Sequence, residues 1–200
     1  MFNRLGAKFC LVAGLYFFLT IPAFSAELHH VKQIISGDIL MLENGQMIRL
    51  IGVDTHDVKN KYKKLGAPKQ GAEPKVYGSA ESFISDTVGE APVEVEIDKI
   101  AGEKDSNGNL LAYVYIDVPK EIWSGFDHTS SFPEIIKTYK YMDEQFIYDK
   151  KTHRIFLNGS LIWSGNGVVN NERPFKYAED FKSYQAEAMK KGRGQWPSLS

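Results

Sequence analysis

The sequence predicts an α+β domain, mainly β, in which a five-stranded Greek-key barrel carries helices on its outer surface. Three observations lead to this class. Five segments have the side-chain pattern of strands, and Asn44-Gly45 marks a tight hairpin turn between two of them. Helical periodicity marks one segment after the third strand and one near the C-terminus.

Five segments are predicted to be strands from their apolar content and from the alternation of their side chains. They are residues 31–35, 39–42, 47–53, 93–97 and 110–116. The fourth alternates apolar and acidic residues, as a half-exposed strand should. A turn-forming stretch, residues 105–109, leads into the last strand.

Two helices are predicted. Ser79 can cap the first, in which apolar residues recur at helical spacing as far as Val88. The second begins near Tyr177 and ends at Gly192, a residue type that commonly terminates helices. Trp196 follows and is expected to pack the C-terminal segment onto the core. Five strands with these two helices indicate an OB-fold-like barrel with flanking helices.

Residues 1–26 have the composition of a signal peptide. Arg4 and Lys8 precede an apolar run over 9–21, and small residues then predict cleavage after Ser25 or Ala26. The run is shorter than the roughly 20 residues that span a membrane, so a retained anchor is the less favoured alternative. We therefore expect export to the periplasm or the medium, with residues 27–200 forming a single domain that has no membrane anchor.

Charge and cysteine content narrow the functional classes. Cys10 is the only cysteine and lies in the leader, so neither a disulfide nor thiol chemistry is expected after cleavage. The leader holds two basic and no acidic side chains, which leaves 22 basic and 25 acidic residues and a net charge of −3. This balance argues against a general nucleic-acid coating protein but permits an enzyme with a local positive patch.

Two short blocks carry the candidate chemistry. Residues 35–38 read Ile-Ser-Gly-Asp, and residues 49–55 read Arg-Leu-Ile-Gly-Val-Asp-Thr. Carboxylates at Asp38 and Asp54 and a guanidinium at Arg49, all near strand ends, suit a hard cation together with a phosphate. The two blocks therefore predict a metal-dependent phosphodiesterase.

The hairpin between the blocks is expected to bring them together. A two-residue turn at Asn44-Gly45 would pair Leu40 with Arg49. Asp38 would then lie opposite Ile51, as a diagonal neighbour of Arg49 on one face of the ribbon.

A lysine-rich loop follows the second block and has two interpretations. Residues 59–75 hold six lysines, of which Lys59 and Lys61 are the nearest in the chain to Asp54-Thr55. Such charge runs are often solvated, flexible loops. The position of this one favours a role in steering phosphate equally well.

The order and spacing of these segments resemble those of the thermonuclease, or staphylococcal nuclease-like, domain family. The resemblance covers most of the chain after the leader, apart from one insertion. The matching stretches are residues 35–42, 49–57, 77–78, 110–115, 158–165 and 175–196. It implies a calcium-dependent endonuclease that cuts DNA and RNA.

Carried over by position, the resemblance implies a role for five residues. Asp38 and Asp54 would be calcium ligands, with the backbone carbonyl of Thr55 as a third. Arg49 would bind the scissile phosphate and stabilise the charge of the transition state. Asp57 would act as the general base or position the attacking water.

The chain departs from the family pattern around the metal. Ser36 stands where the family has an acidic residue, which thins the outer metal shell. Asp57 stands for a glutamate and is one methylene shorter, so it must lie closer to the water. His56 replaces a proline and could assist as an acid or base, although a single loop histidine is more often incidental.

The most serious departure is Asn109, which aligns with the family's second phosphate-binding arginine. Asparagine carries no charge and has only two donors. The loss of one charge-stabilising donor commonly lowers the rate about 10²- to 10³-fold. Ser106-Asn107 also replaces a nucleotide-contacting Lys-Tyr pair. Asn109, Lys59 and Lys61 are therefore weak candidates for substrate binding, and reduced activity is expected.

An aromatic-rich insertion, residues 118–153, interrupts what the family keeps as a short turn. It is too aromatic for a disordered linker. A structural flap over the barrel is the favoured interpretation. The alternative is a lid or protein-binding surface that supplies a replacement cation such as Lys137, Lys140 or Arg154.

Two functions from different classes remain. The first is an exported, calcium-dependent nuclease that acts on DNA or RNA. The second is a catalytically inactive OB-fold module that binds a protein, an oligonucleotide or an envelope ligand. Asp38, Arg49 and Asp54 favour the first, whereas Asn109 and the negative net charge favour the second.

Overall fold

The structure is a computed structural model that describes residues 27–55, 79–118, 146–149 and 151–196. Within these ranges the chain forms ten strands and three helices. The strands are β1 (Leu28–His29), β2 (Val31–Ser36), β3 (Ile39–Leu42), β4 (Met47–Leu50), β5 (Val53–Asp54), β6 (Val93–Ile97), β7 (Leu110–Asp117), β8 (Tyr148–Asp149), β9 (Arg154–Phe156) and β10 (Val168–Val169). The helices are α1 (Ala80–Val88), α2 (Leu157–Trp163) and α3 (Ala178–Lys191).

Most strands form one mixed sheet in the order β1-β6-β7-β4-β3-β2, with β9 on β7 and β8 on β9. The described strand pairs are antiparallel except β4 and β7, which run parallel. A mixed sheet with three helices confirms the predicted α+β class and agrees with an OB-like fold. Ten strands are described where five were predicted, and the additional ones have only two or three residues each.

Strand β7 is the centre of the sheet because three strands pair with it. β6 pairs along one side of β7. On the other side of β7, β4 pairs with its first residues and β9 pairs with its last residues. Between β4 and β9, the fully buried Asn158 of α2 takes the place of a strand. Its amide oxygen accepts the N–H of Val114 at 2.9 Å, and its nitrogen donates to the carbonyls of Ile51 and Ala112 at 3.1 Å each. These bonds satisfy the N–H of Val114 and supply a donor to the carbonyls of Ile51 and Ala112, of which the second also accepts the N–H of Ile51.

The β3–β4 hairpin differs from the prediction by one residue. Arg49 pairs with Ile39 instead of the residue after it. The N–H of Leu42 donates to the carbonyl of Gln46, and Gly45 adopts a φ of +83°. The loop therefore has three residues and ends in a glycine with left-handed backbone conformation. The sequence Asn-Gly is compatible with this loop and with a two-residue turn alike.

The predicted strand over 47–53 is two strands. β4 ends at Leu50, the chain turns at Gly52, and β5 pairs with β10 away from the main sheet. Gly52 has a φ of +75°, and a β-carbon there would lie 2.8 Å from the ring of Phe175. The break therefore places Asp54 beside β10 in the C-terminal part of the chain. Strand β10 is in turn bound to α3, because the N–H of Val169 donates to the side-chain oxygen of Gln185 at 2.8 Å.

Both predicted helices are present. The Ser79 hydroxyl accepts the N–H of Ser82 at 3.3 Å and caps α1, while α3 ends at Gly192 with a φ of +61°. Trp196 is buried and packs with Val168 and Ala188, which confirms its predicted anchoring role.

Helix α2 is absent from the predictions. Its sequence contains Asn158, Gly159 and Ser160, which are poor helix formers. Residues 157–162 are all buried, so tertiary packing forms this helix.

Several predictions lie outside the described residues: the leader, the lysine-rich loop and most of the insertion. In the part of the chain that the structure describes, no helix is long and apolar enough to cross a membrane. The described end of the insertion packs on the core. The ring of Phe146 lies 5.5 Å from that of Phe83 on α1, and the N–H of Ile147 donates to Ser160 at 2.9 Å.

Candidate active site

Asp38 and Arg49 form the centre of the candidate site. Asp38 lies in the turn between β2 and β3, and its side chain is fully buried. Nη2 of Arg49 is 3.1 Å from Oδ2 of Asp38, and the Ser36 hydroxyl donates to Oδ1 of Asp38 at 2.7 Å. The expected proximity of Asp38 and Arg49 is present despite the shifted register, because Asp38 precedes β3 and is not bound by strand alternation.

The buried carboxylate of Asp38 contacts Arg49 from the protein interior and orients its guanidinium. The Arg49 side chain is 26% exposed, so an anion from solvent can reach part of it. A guanidinium carries five N–H donors in a planar fork, and Nη2 is the atom that contacts Asp38. A held arginine with an accessible edge can bind a phosphate through two parallel hydrogen bonds.

The turn that carries Asp38 touches the segment that carries Asp54. A β-carbon on Gly37 would lie 2.7 Å from the hydroxyl oxygen of Thr55 and 2.5 Å from the β-carbon of Ala80. Only a residue without a side chain allows this approach. The two sequence blocks therefore meet at Gly37, at the beginning of α1.

The predicted metal ligands have suitable chemistry for a hard cation. Asp38 and Asp54 supply carboxylate oxygens, the Thr55 backbone supplies a carbonyl oxygen, and Ca²⁺ prefers several oxygen ligands in a flexible geometry. The contact between Gly37 and Thr55 brings their segments together. Among the described residues, no group of three or more His, Cys, Asp or Glu side chains could hold a metal ion, and the predicted set contains only two carboxylates.

Asn109 lies next to the strand that carries Arg49. Arg49 pairs with Leu111 across the parallel β4–β7 ladder, and Asn109 immediately precedes β7, two residues before Leu111. The side-chain nitrogen of Asn109 donates to Oδ2 of Asp105 at 2.9 Å. One of the two N–H donors of the Asn109 amide is therefore engaged in a hydrogen bond within the loop.

Asp105 organises the loop before β7. Its Oδ1 accepts the N–H groups of Asn107 and Asn109, both at 2.9 Å. Partial burial acts to raise the pKa of Asp105, but the bonds from Asn109 and Asn107 and the nearby charge of Arg49 hold this pKa below its usual value. Asp105 is therefore a charged side chain whose electrostatic surroundings include Arg49.

Arg154 does not replace the missing arginine. It binds Glu94 at 2.6 Å and Asp117 at 2.8 Å, at the end of β7. Asn109 precedes the start of that eight-residue strand, so the two positions lie at opposite ends of it. The suggestion that Arg154 supplies the replacement cation is wrong for this reason.

Other predicted site residues lie outside the described part of the chain. These are His56, Asp57, Lys59 and Lys61, together with Lys137 and Lys140 of the insertion. Their roles stay predictions.

Asp105 and Asn158 contribute to the site region and were not singled out from the sequence. An aspartate that opens an Asp-Ser-Asn-Gly-Asn turn is a signal for Asp105, because aspartate accepts N–H groups two residues ahead. No local signal exists for Asn158, whose three backbone partners are at least 44 residues away in the chain.

A comparison with protein-family models finds that residues 47–198 match the model described as staphylococcal nuclease homologue. The match covers more than half of the chain and includes Arg49, Asp54 and Asn109, whereas Asp38 precedes it. No curated protein matches the chain.

Proposed function

The chain belongs to the staphylococcal nuclease homologue family, a nuclease-type family, and from this premise we propose that it hydrolyses phosphodiester bonds of DNA or RNA with the help of a divalent cation. The observation that carries the proposal is the buried Asp38 behind the partly exposed Arg49. This pair lies beside the Asp54-Thr55 segment, as the Gly37 contact indicates.

Arg49 is proposed to bind the scissile phosphate. Its fork matches two phosphate oxygens, and its charge stabilises the negative charge that builds up in the transition state. Asp38 holds the guanidinium in place from the protein interior, and Ser36 holds Asp38. Because this arrangement exists before substrate binds, little reorganisation is needed at the moment of reaction.

Asp38, Asp54 and the carbonyl of Thr55 would hold the cation, with Ca²⁺ as the proposed ion. When bound, such an ion supplies positive charge to the phosphate oxygens and to an attacking water. Asp57 is proposed to take the proton of that water.

We expect modest turnover. Asn109 stands at the second arginine position and its amide is bound to Asp105. One charge-stabilising donor is therefore missing, which corresponds to a rate lower by about 10²- to 10³-fold than that of a site with both arginines.

The test is a cleavage assay on single-stranded DNA and RNA, with Ca²⁺ or with a chelator. We expect slow cutting that requires the ion and that falls about 10²- to 10³-fold in Arg49→Gln. Asp38→Ala should abolish it. Arg173→Gln is the matched control, because Arg173 donates to the carbonyl of Ala101 and not to a site carboxylate.

Folded wild-type protein that cuts neither polymer under any divalent cation would overturn the proposal. Binding of an oligonucleotide without cutting would then favour the inactive OB-fold module.

Export is part of the proposal. The basic residues, apolar run and small residues of positions 1–26 support a leader that is cleaved after Ser25 or Ala26. N-terminal sequencing of protein recovered from the periplasm or the medium tests this. A chain that keeps its first residues and stays with the cells would contradict it.

A protein partner at the insertion remains a separate proposal. Its support is the composition of residues 118–153, which is too aromatic for a linker. If the insertion supplies a cation to the phosphate, deletion of residues 119–145 abolishes cleavage. Retained cleavage by a folded deletion variant would exclude that role.

A further inference from the structure

The guanidinium of Arg49 is influenced by two carboxylates of different kinds. Asp38 is fully buried and contacts it directly at 3.1 Å. Asp105 accepts hydrogen bonds from Asn109, which stands two residues before Leu111, the ladder partner of Arg49. The loop over residues 105–109 therefore lies at the start of β7, next to the strand that carries Arg49.

The charge of Asp105 is fixed in position. Its N–H donates to the carbonyl of Asn109 at 3.0 Å, and its carboxylate accepts three hydrogen bonds from Asn107 and Asn109. A carboxylate held by several donors cannot swing away when another anion approaches. It remains charged at neutral pH, since these bonds and Arg49 keep its pKa low against the opposing effect of partial burial.

We propose that Asp105 limits the affinity of Arg49 for phosphate by repelling the incoming anion and by competing for the charge of the guanidinium. This inference rests on the proposed function, because it concerns the same phosphate site. Without a bound cation, the described residues of the candidate site carry three carboxylates, those of Asp38, Asp54 and Asp105, against the one guanidinium of Arg49. Among these described residues, the excess of negative charge disfavours a nucleic-acid strand.

The magnitude follows from Coulomb's law. A unit charge several ångströms away in a partly exposed site changes an anion's affinity by about three- to tenfold. Removal of this charge should therefore tighten binding, most strongly at low ionic strength, because salt screens partly exposed charges. A purely structural role for Asp105 would instead weaken binding at every salt concentration.

The experiment measures binding of a short fluorescein-labelled oligodeoxythymidylate by fluorescence anisotropy, in chelator so that no cleavage occurs. Asp105→Asn is expected to lower the Kd about three- to tenfold at low salt, and the difference should close near 1 M salt. Asp105→Ser is a second variant that removes the charge and keeps a hydrogen-bond acceptor for the turn. Thermal melting establishes that each variant is folded.

Asp149→Asn is the matched control. Asp149 also accepts a backbone N–H in a turn, from Lys151 at 2.8 Å, and its pKa is likewise lowered, chiefly by Thr152. It lies on β8, which joins the sheet through β9 at the far end of β7. This variant should leave the Kd unchanged.

Arg49→Gln separates the inference from the proposed function. If this variant weakens binding and Asp105→Asn does not tighten it in the folded protein, the inference is overturned while the phosphate site stands. If Arg49→Gln leaves the Kd unchanged, the phosphate site itself is overturned. The inference also requires the effect of Asp105→Asn to disappear in the Arg49→Gln background, and equal tightening by Asp149→Asn would contradict it.

Discussion

The buried carboxylate of Asp98 accepts a hydrogen bond from the phenol of Tyr113 at 2.8 Å. It also accepts the N–H of Ile100 at 2.8 Å and that of Lys176 at 2.7 Å. Asp98 follows β6, Tyr113 lies in β7, and Lys176 precedes α3, so one side chain joins the sheet to the C-terminal helix. Burial acts to raise the pKa of Asp98, but the bonds from Lys176, Ile100 and Tyr113 lower it.

We expect Asp98→Asn to lower the free energy of unfolding by about 1–3 kcal/mol at pH 7. Because the folded pKa is below the unfolded one, the contribution of Asp98 is present above the unfolded pKa, near pH 4, and is lost as the pH falls through the folded pKa. Urea unfolding at pH 7 and near pH 2 measures this. Asp86→Asn, on the exposed side of α1, is the control, and an equal loss at both pH values would contradict the prediction.

Gly37→Ala should damage the site more than the fold. The added β-carbon would meet Ala80 at 2.5 Å and Thr55 at 2.7 Å, and the resulting shift costs about 1–3 kcal/mol. Because Thr55 follows Asp54, the displacement should also lower the cleavage rate of the folded protein. Gly102→Ala is the control, since nothing lies within 4 Å there and only its φ of +92° is strained. An unchanged rate per folded Gly37→Ala molecule would refute the prediction.

Asn158→Ala should lower the free energy of unfolding by about 2–4 kcal/mol, because it leaves buried backbone groups of Ile51 and Val114 without this partner. Thermal and urea unfolding measure the loss. Asn170→Ala removes a single bond, to the N–H of Glu172 in an exposed turn, and should cost less than about 1 kcal/mol. Similar losses in both variants would show that Asn158 does not replace a strand.

Asn109→Arg should raise the rate of calcium-dependent cleavage about 10- to 100-fold, because it adds a charged fork two residues before Leu111, the ladder partner of Arg49. Asn109→Lys, which adds a charge without the fork, should gain less. Steady-state rates on one single-stranded substrate measure both. A larger gain in the lysine variant would mean that charge alone, and not bidentate binding, is missing.

Local sequence signals were sufficient for several elements. The alternation of apolar and acidic residues from Val93 to Ile97 predicts the observed bounds of β6. Ser79 caps the first helix and Gly192 ends the last one, as expected. These features depend on nearest neighbours in the chain. The proximity of Asp38 and Arg49 could also be predicted, because a single short hairpin separates them.

Features that depend on distant residues could not be predicted. The break at Gly52 depends on packing against Phe175 and Phe181, and α2 depends on burial that outweighs its composition. The hairpin register depends on whether Gly45 ends a two- or a three-residue loop, and Asn-Gly suits both. For the site, Asp105 was missed because only the parallel pairing of β4 with β7 brings its loop next to the strand that carries Arg49.

The pairing of β5 with β10 has a consequence for the synthesis of this protein. Asp54 pairs with Val168, so the strand with which β5 pairs emerges from the ribosome more than a hundred residues after it. A nascent chain that already contains Asp38, Arg49 and Asp54 still lacks the support of β10. Any nuclease activity should therefore arise only after residues 168–169 have been synthesised and have paired with β5.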